Sequence, residues 1–358
     1  MPQQAPAAKT LQPVRTMRML HCAAMMHCTL LVPDLLPPAL RDTPAPRLRV
    51  PQLAALLARG NKAMLPPNEF DSWLCEAFGV ARQNDWPVAP LTLAEDGGEP
   101  GDGFWLRCDP AYLYLQQHRM ILSDAAGKPT AAESAALVET LNAHFREDGL
   151  QFFAGRDGRW YLRGDAHAKV TTQPLSHAMH RDIDSLMPTG DDSRHWRRVM
   201  NEIQMLLHAH PLNAEREARG LPAFNSVWLW GGGTVPAAGA TAFTQAWSNE
   251  PLARALARRA GATVGDCPAS VEPVMAAGGN ALVVVTALRD ATDLAQWQAA
   301  LERVEQQWFA PCRQALQDGR LHSLTIVAPA APHSRQFTIT AAHRWRWWRR
   351  IKPIAAHV

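Results

Sequence analysis

At 358 residues, with 47% hydrophobic and 19% charged side chains, the chain is long enough for two domains and has the composition of a globular protein with a real core. A formal charge of +3 is nearly balanced, so whole-chain electrostatics give no case for a nucleic-acid or membrane partner. Six cysteines (Cys22, Cys28, Cys75, Cys108, Cys267, Cys312) show neither CxxC nor zinc-finger spacing, which points to reduced thiols in a cytoplasmic setting rather than a disulfide framework.

Residues 1–18 are rich in Pro, Gln and Ala and are expected to be disordered. Arg15 and Arg18 precede the apolar stretch Met19 to Val32. That stretch holds His21, Cys22, His27 and Cys28 and runs into Pro33-Asp34 without a cleavage site, so a first buried strand is predicted instead of a signal peptide. No apolar run reaches the ~20 residues that span a bilayer. Helical spacing marks Leu53–Leu57 and Phe70–Phe78, the second with Asn68 as cap. The Pro/Gly/Asp-rich segment 85–102 reads as a connector.

Strands are then predicted at 104–107 and 120–122, and a helix at 130–145. A hairpin follows at 150–162, turning at Asp157-Gly158. A long helix after 191–193 carries Trp196, Val199, Met200, Ile203, Leu206 and Leu207 on one face and stops before Pro211. Asn225–Trp230 is a strand entering a glycine turn. The last third gives a helix at 251–259, a central strand at 281–288, and a helix with Leu294, Trp297, Leu301, Val304 and Trp308 that should bend or end near Pro311. Strands at 323–327 and 336–347 should pair antiparallel, the second placing Phe337, Ile339, Ala341, Trp345 and Trp347 on one face.

The informative stretch is His210-Pro-Leu-Asn213, Arg216, Gly220 and Asn225-Ser-Val-Trp-Leu-Trp-Gly-Gly-Gly-Thr-Val-Pro236. Consecutive glycines let backbone N–H groups approach an anion or another segment closely, and the pattern leaves both roles open. This signature resembles that of the archaeal-type, cofactor-independent phosphoglycerate mutases. Arg107-Cys108-Asp109 and Leu186-Met-Pro-Thr-Gly190 extend the likeness over about residues 103–236. The whole chain also resembles the bacterial RpfE-type regulatory proteins, through the Trp/Arg-rich His343-Arg-Trp-Arg-Trp-Trp-Arg350.

The resemblance implies an alkaline-phosphatase-like α/β core. In the mutases, two divalent metals held by Asp and His activate a serine for phosphoryl transfer. Asp34 sits where the first ligand is expected, but without the glycine that should follow it. After the strand near 281–288 the chain gives Arg289-Asp290 with no histidine until His322. His177 and His180 with Asp182 and Asp184, and His208 with His210, lack a third ligand at metal-binding spacing.

The expected fold is therefore α/β, a mixed sheet flanked by helices. Residues 19–102 and 237–358 form a reduced core, and an α+β accessory domain is inserted at 103–236. The expected function is a non-catalytic regulatory or scaffold protein without cofactor or metal, whose partners are a small anionic metabolite or a protein. Asn213, Arg216, Asn225, Trp228, Trp230, Gly231, Gly232 and Gly233 are its candidate ligand contacts, with Arg216 and Asn225 equally able to brace the glycine turn. A residual metal-dependent phosphomutase or phosphohydrolase and a Trp-rich interaction module are the alternatives. The tail, with Arg344, Arg346, Arg349, Arg350 and Lys352 interleaved with Trp345, Trp347 and Trp348, is expected to be an edge strand with Trp inward.

Overall fold

A computed structural model of the chain describes residues 25–37, 48–65, 69–164, 168–289, 291–330, 333–346 and 348–357. The disorder expected at 1–18, the Asn68 cap, Cys22, Asp290 and Trp347 lie outside these residues. The strands are β1 (His27–Leu31), β2 (Asn61–Leu65), β3 (Phe104–Gln116), β4 (Arg119–Ser123), β5 (Gln151–Ala154), β6 (Trp160–Gly164), β7 (Ser226–Gly233), β8 (Gln245–Trp247), β9 (Thr263–Gly265), β10 (Asn280–Val284), β11 (Ser323–Ala328) and β12 (Ser334–Thr340). The helices are α1 (Pro51–Arg59), α2 (Phe70–Ala77), α3 (Val88–Glu95), α4 (Ala131–His144), α5 (Leu175–Ala178), α6 (Ser193–His208), α7 (Pro211–Ala218), α8 (Pro251–Arg259), α9 (Glu272–Ala277), α10 (Leu294–Val304) and α11 (Ala310–Gln317).

The result is the expected mixed α/β architecture. A seven-stranded sheet runs in the order β2-β12-β11-β1-β10-β8-β9. Leu30 of β1 lies opposite Val283 and Ile326 in parallel register, and these apolar strands are buried on both faces, as parallel strands covered by helices must be. β12 returns antiparallel on β11, and β2 forms the edge. The second sheet is antiparallel, in the order β4-β3-β6-β5, with β7 paired to β3. α4 begins on a capping box in which Thr130 and Glu133 exchange hydrogen bonds.

β2, β8, β9, α5, α7 and α9 are not among the predicted elements, and four further elements differ from expectation. The connector 85–102 contains α3, whose residues Val88 to Leu93 are all buried; a helix that is apolar all round shows no amphipathic period to read. The three glycines do not follow β7 but belong to it. Gly231 takes a positive φ of 64° and the register with β3 shifts there, which makes a bulge. Pro311 does not end its helix, because a π-helical turn at Glu305–Phe309 shifts the hydrogen-bond frame and leaves Pro311 in the first turn of α11, where its missing N–H costs nothing. Finally, β12 stops at Thr340 and the chain turns through residues 341–345, leaving Trp345 65% exposed instead of inward.

Candidate functional site

The glycine-strand residues are engaged with the protein itself. Asn213 donates from Nδ2 to the Leu207 and Phe224 carbonyls, and its Oδ1 accepts from the Phe224 amide, closing the α7–β7 loop. Arg216 donates to the carbonyls of Pro222 and Ala126 and pairs with Glu133 at 2.6 Å, while its guanidinium lies 4.1 Å from the Phe224 ring centroid. Asn225 donates to the Leu113 carbonyl and accepts from its amide. Trp228 is buried and donates to the Gln173 carbonyl. These four fix the strand and the loops beside it through backbone groups and, for Arg216, through Glu133 as well.

Gly231 and Gly233 admit α3 and the segment before it, while Gly232 lies against Phe104 and Leu106 of β3. A Cβ at Gly231 would stand 2.9 Å from Val88 Cβ, and one at Gly233 2.8 Å from Pro87 Cβ. The Gly231 amide donates to Thr172 Oγ1, Thr172 in turn donates to Asp85, and Asp85 also accepts from the Thr172 amide. The Gly-Gly-Gly run is thus a close-approach surface for the connector, not an open anion cradle.

Of the predicted set, Trp230 lines a cleft and, with Gly231, the recess beside it. Its Nε1 donates to Asp109 Oδ2 at 2.7 Å, and Asp109 Oδ1 pairs with Arg107 Nη2 at 2.5 Å. The Arg107 guanidinium sits between two rings, 5.3 Å from the centroid of Tyr161 and 5.2 Å from that of Trp230. Its Nε is buried and has no hydrogen-bond partner among the described residues. The Arg107 side chain nevertheless reaches the cleft wall, with 9% of its surface exposed.

The cleft it faces has a volume of about 610 Å³ and lies between the two sheets. β3 and the loop after β4 contribute Arg107, Asp109 and Lys128. The opposite wall comes from beyond the carboxyl ends of the parallel strands, with Glu250 after β8 and Arg289 after β10. That is where ligands sit in open parallel sheets. Asp71 of α2 also lines it, together with Trp230 and Val88, which are shared with a second recess of about 280 Å³ reaching Arg82 and Asp85. Arg289 packs 4.8 Å from the Phe70 ring centroid and 3.7 Å from Glu250.

Asp71 was not visible as a functional residue in the sequence, where it is one acid in a helix. Burial pushes its carboxyl up, Arg289 pulls it back, and the balance is about 6. Asp34, in a left-handed turn three residues beyond the strand end at Leu31, is also raised by burial and opposed by Arg289. Arg289 is therefore the cation shared by Asp34, Asp71 and Glu250. The two metals implied by the resemblance do not fit this donor set. No histidine joins it, a guanidinium stands among its carboxylates, and no three His, Cys, Asp or Glu side chains converge among the described residues. His177 pairs with Glu69 at 2.6 Å and His180 lies 3.6 Å from Asp124, so those histidines do not converge either.

Residues 99–213 match the family described as 2,3-bisphosphoglycerate-independent phosphoglycerate mutase. The chain is 27% identical over 151 residues to a protein of that name from Methanosarcina mazei, covering 41% of this chain and 37% of the relative. It is 26% identical over 205 residues to a probable phosphoglycerate mutase of Geobacter sulfurreducens, covering 54% and 51%. The matched stretches thus span about half or less of these relatives. A solved Pyrococcus horikoshii protein shares the fold with a TM-score of 0.53 at 12% identity, over 89% of this chain and 88% of that one. The mutase-like relationship stands. The expected non-catalytic regulatory or scaffold role does not, because these curated relatives bear the name of an enzyme and nothing in the comparisons points to a regulator.

Proposed function

We propose that the chain takes a small phosphorylated acid of the phosphoglycerate class into the cleft between its sheets, and that its chemistry, like that named for its relatives, is on that acid. The convergence of Arg107, Lys128 and Arg289 on one cleft carries this reading. Arg107, packed against Tyr161 and Trp230 and oriented by Asp109, offers a fixed positive charge to a carboxylate or phosphate. Arg289 and Lys128 supply further charge from other walls of the cleft. Asp71, titrating near 6, is the group able to take or give a proton close to neutral pH.

The test is calorimetric titration of 3-phosphoglycerate into the full chain, with and without Mn²⁺, alongside a coupled assay for 2-phosphoglycerate. Binding without Mn²⁺ that weakens about tenfold or more in Arg289→Ala is expected, consistent with loss of one charge-assisted contact. Absence of binding, or binding only with Mn²⁺, would overturn the assignment of charge to Arg107 and Arg289. The kinship with RpfE-type proteins, carried by the Trp/Arg-rich end, and a reducing cytoplasmic location, supported by five described cysteines that are all free thiols, belong to the same proposal.

A further inference from the structure

Net charge conceals a strong segregation of charge. Beyond Asp318 the sequence contains no Asp or Glu through residue 358, against seven Arg and Lys. The facing segment 58–68 adds Arg59 and Lys62, again without an acid. β2 and β12 bring these two stretches together at one edge of the large sheet, with Met64 opposite Arg335 and Lys62 opposite Phe337. Burial pushes the Lys62 ammonium below its ordinary value, and the neighbouring cations Arg335 and Lys352 push it the same way.

The segment after β12 is firmly placed at both ends. Arg346 donates to the Arg59 carbonyl at 3.2 Å and to Asn61 Oδ1 at 2.6 Å, and Arg349 donates to the Gly60 carbonyl at 2.8 Å. Downstream, Ile354 and His357 are buried, His357 lying edge-on to Phe337 with centroids 5.7 Å apart. Between these anchors Trp345, Trp348 and Ile351 are 65%, 64% and 55% exposed, and Met64 on the neighbouring strand is 62% exposed. Half of the exposed large hydrophobic side chains among the described residues thus lie at this one edge, beside the exposed Lys62, Arg350 and Lys352.

We propose that this edge docks on an anionic lipid surface, with Trp345, Trp348 and Ile351 entering the headgroup boundary and Lys62, Arg350 and Lys352 lying against lipid phosphates. Trp favours that boundary because its ring is apolar while its N–H stays solvated. Cations at an anionic leaflet add attraction that salt screens. Single-stranded nucleic acid would use the same charges and could stack on the tryptophans. It would gain nothing from Ile351 and Met64, which have no π face and whose exposure is relieved only in an apolar medium. The docking proposed is at the surface; among the described residues no helix is long and apolar enough to cross a membrane. It revises the expectation of no membrane partner, which rested on total charge and not on its placement.

Co-sedimentation of the full chain with phosphatidylcholine vesicles, with and without phosphatidylglycerol, tests this. Partitioning is expected only with the anionic lipid and is expected to fall as salt rises. Arg350→Glu combined with Lys352→Glu should weaken it about 30-fold or more, from two lost cation–surface attractions. Trp345→Ala with Trp348→Ala should weaken it at low salt as well, where charge alone is strongest. These side chains are exposed, so melting temperatures close to wild type accompany both results; if the tryptophan pair melts lower, Ile351→Ser supplies the same readout. Failure to bind anionic vesicles, equal binding to neutral ones, or tighter binding to oligodeoxythymidine than to vesicles would overturn the proposal.

Discussion

Burial pushes the Asp71 carboxyl up, Arg289 and Arg107 draw it down, Glu250 and Glu69 oppose them, and the group titrates at about 6. Its charge in the cleft works against an anionic ligand, so protonation should tighten binding. A phosphate monoester titrates in the same range, so pH dependence alone does not isolate Asp71. The ratio of 3-phosphoglycerate affinities between Asp71→Asn and wild type does. It should exceed one at pH 8 and approach one near pH 5, and a ratio flat with pH would remove Asp71 from the site. Stability carries the same sign. A carboxyl raised above its ordinary 3.8 contributes fully below that value and loses its contribution as pH rises through about 6, so the Asn variant should gain on wild type in thermal melts across that window. Arg216 is the contrasting residue. Arg216→Ala strands Glu133 and two carbonyls and uncovers Phe224, for a loss of about 3 kcal/mol, and Arg216→Lys should not restore it because one ammonium cannot reproduce the fork. Chemical denaturation measures the loss; ligand affinity per folded molecule should not move.

α3 shows what the sequence could and could not convey at the level of elements. The helices at 131–144, 193–208 and 251–259 announce themselves through caps or an apolar stripe, and the hairpin turn through Asp157-Gly158. The register that β1 keeps with β10 and β11 is not written in the sequence, since parallel partners far apart in the chain are chosen by packing. α3 carries Pro90 and is buried all round, so neither propensity nor periodicity marks it. The site was legible in part for the same reason. Trp230 and Arg107 fall within recognisable motifs, whereas Asp71, Glu250 and Arg289 acquire meaning only when strand ends far apart in sequence converge. Glycine spacing likewise cannot say whether a run approaches an anion or a helix. Here it approaches α3, and Gly231→Ala would combine a left-handed backbone with a methyl 2.9 Å from Val88 Cβ. A cost of about 2 kcal/mol is expected, read as a lower denaturant midpoint with unchanged slope. Because Val88 and Trp230 wall the cleft, 3-phosphoglycerate affinity should fall in the same variant.

The strands of residues 104–233 make a sheet of their own, yet its core is not its own. One continuous apolar cluster joins Leu106, Cys108 and Leu229 of that sheet to Phe70 and Leu74 of α2, Val88 and Leu91 of α3, and Leu252 and Leu256 of α8. A second small cluster puts Ala89 and Leu93 of α3 on Trp105 and Tyr161. Polar ties follow the same path. Asp96, just past α3, accepts from Arg159 and Tyr161 of the hairpin, while Glu95 pairs with Arg254 and Arg258 of α8 at 2.9 and 3.0 Å. Removing residues 99–236 from the chain would expose the face that α3 covers, including Trp105 and Tyr161, which are 3% and 0% exposed in the whole protein. Burial of aromatic side chains of this size dominates the energy of a small core. The excised segment should therefore bind a hydrophobic dye and lack near-UV circular dichroism, the signature of secondary structure without fixed packing. The intact chain should lose its near-UV and far-UV signals in a single coincident denaturant transition, because α3 cannot leave one sheet without uncovering the other. Two resolved transitions, or an excised segment with sharp cooperative unfolding, would show that the sheets fold independently and that α3 only touches the boundary between them.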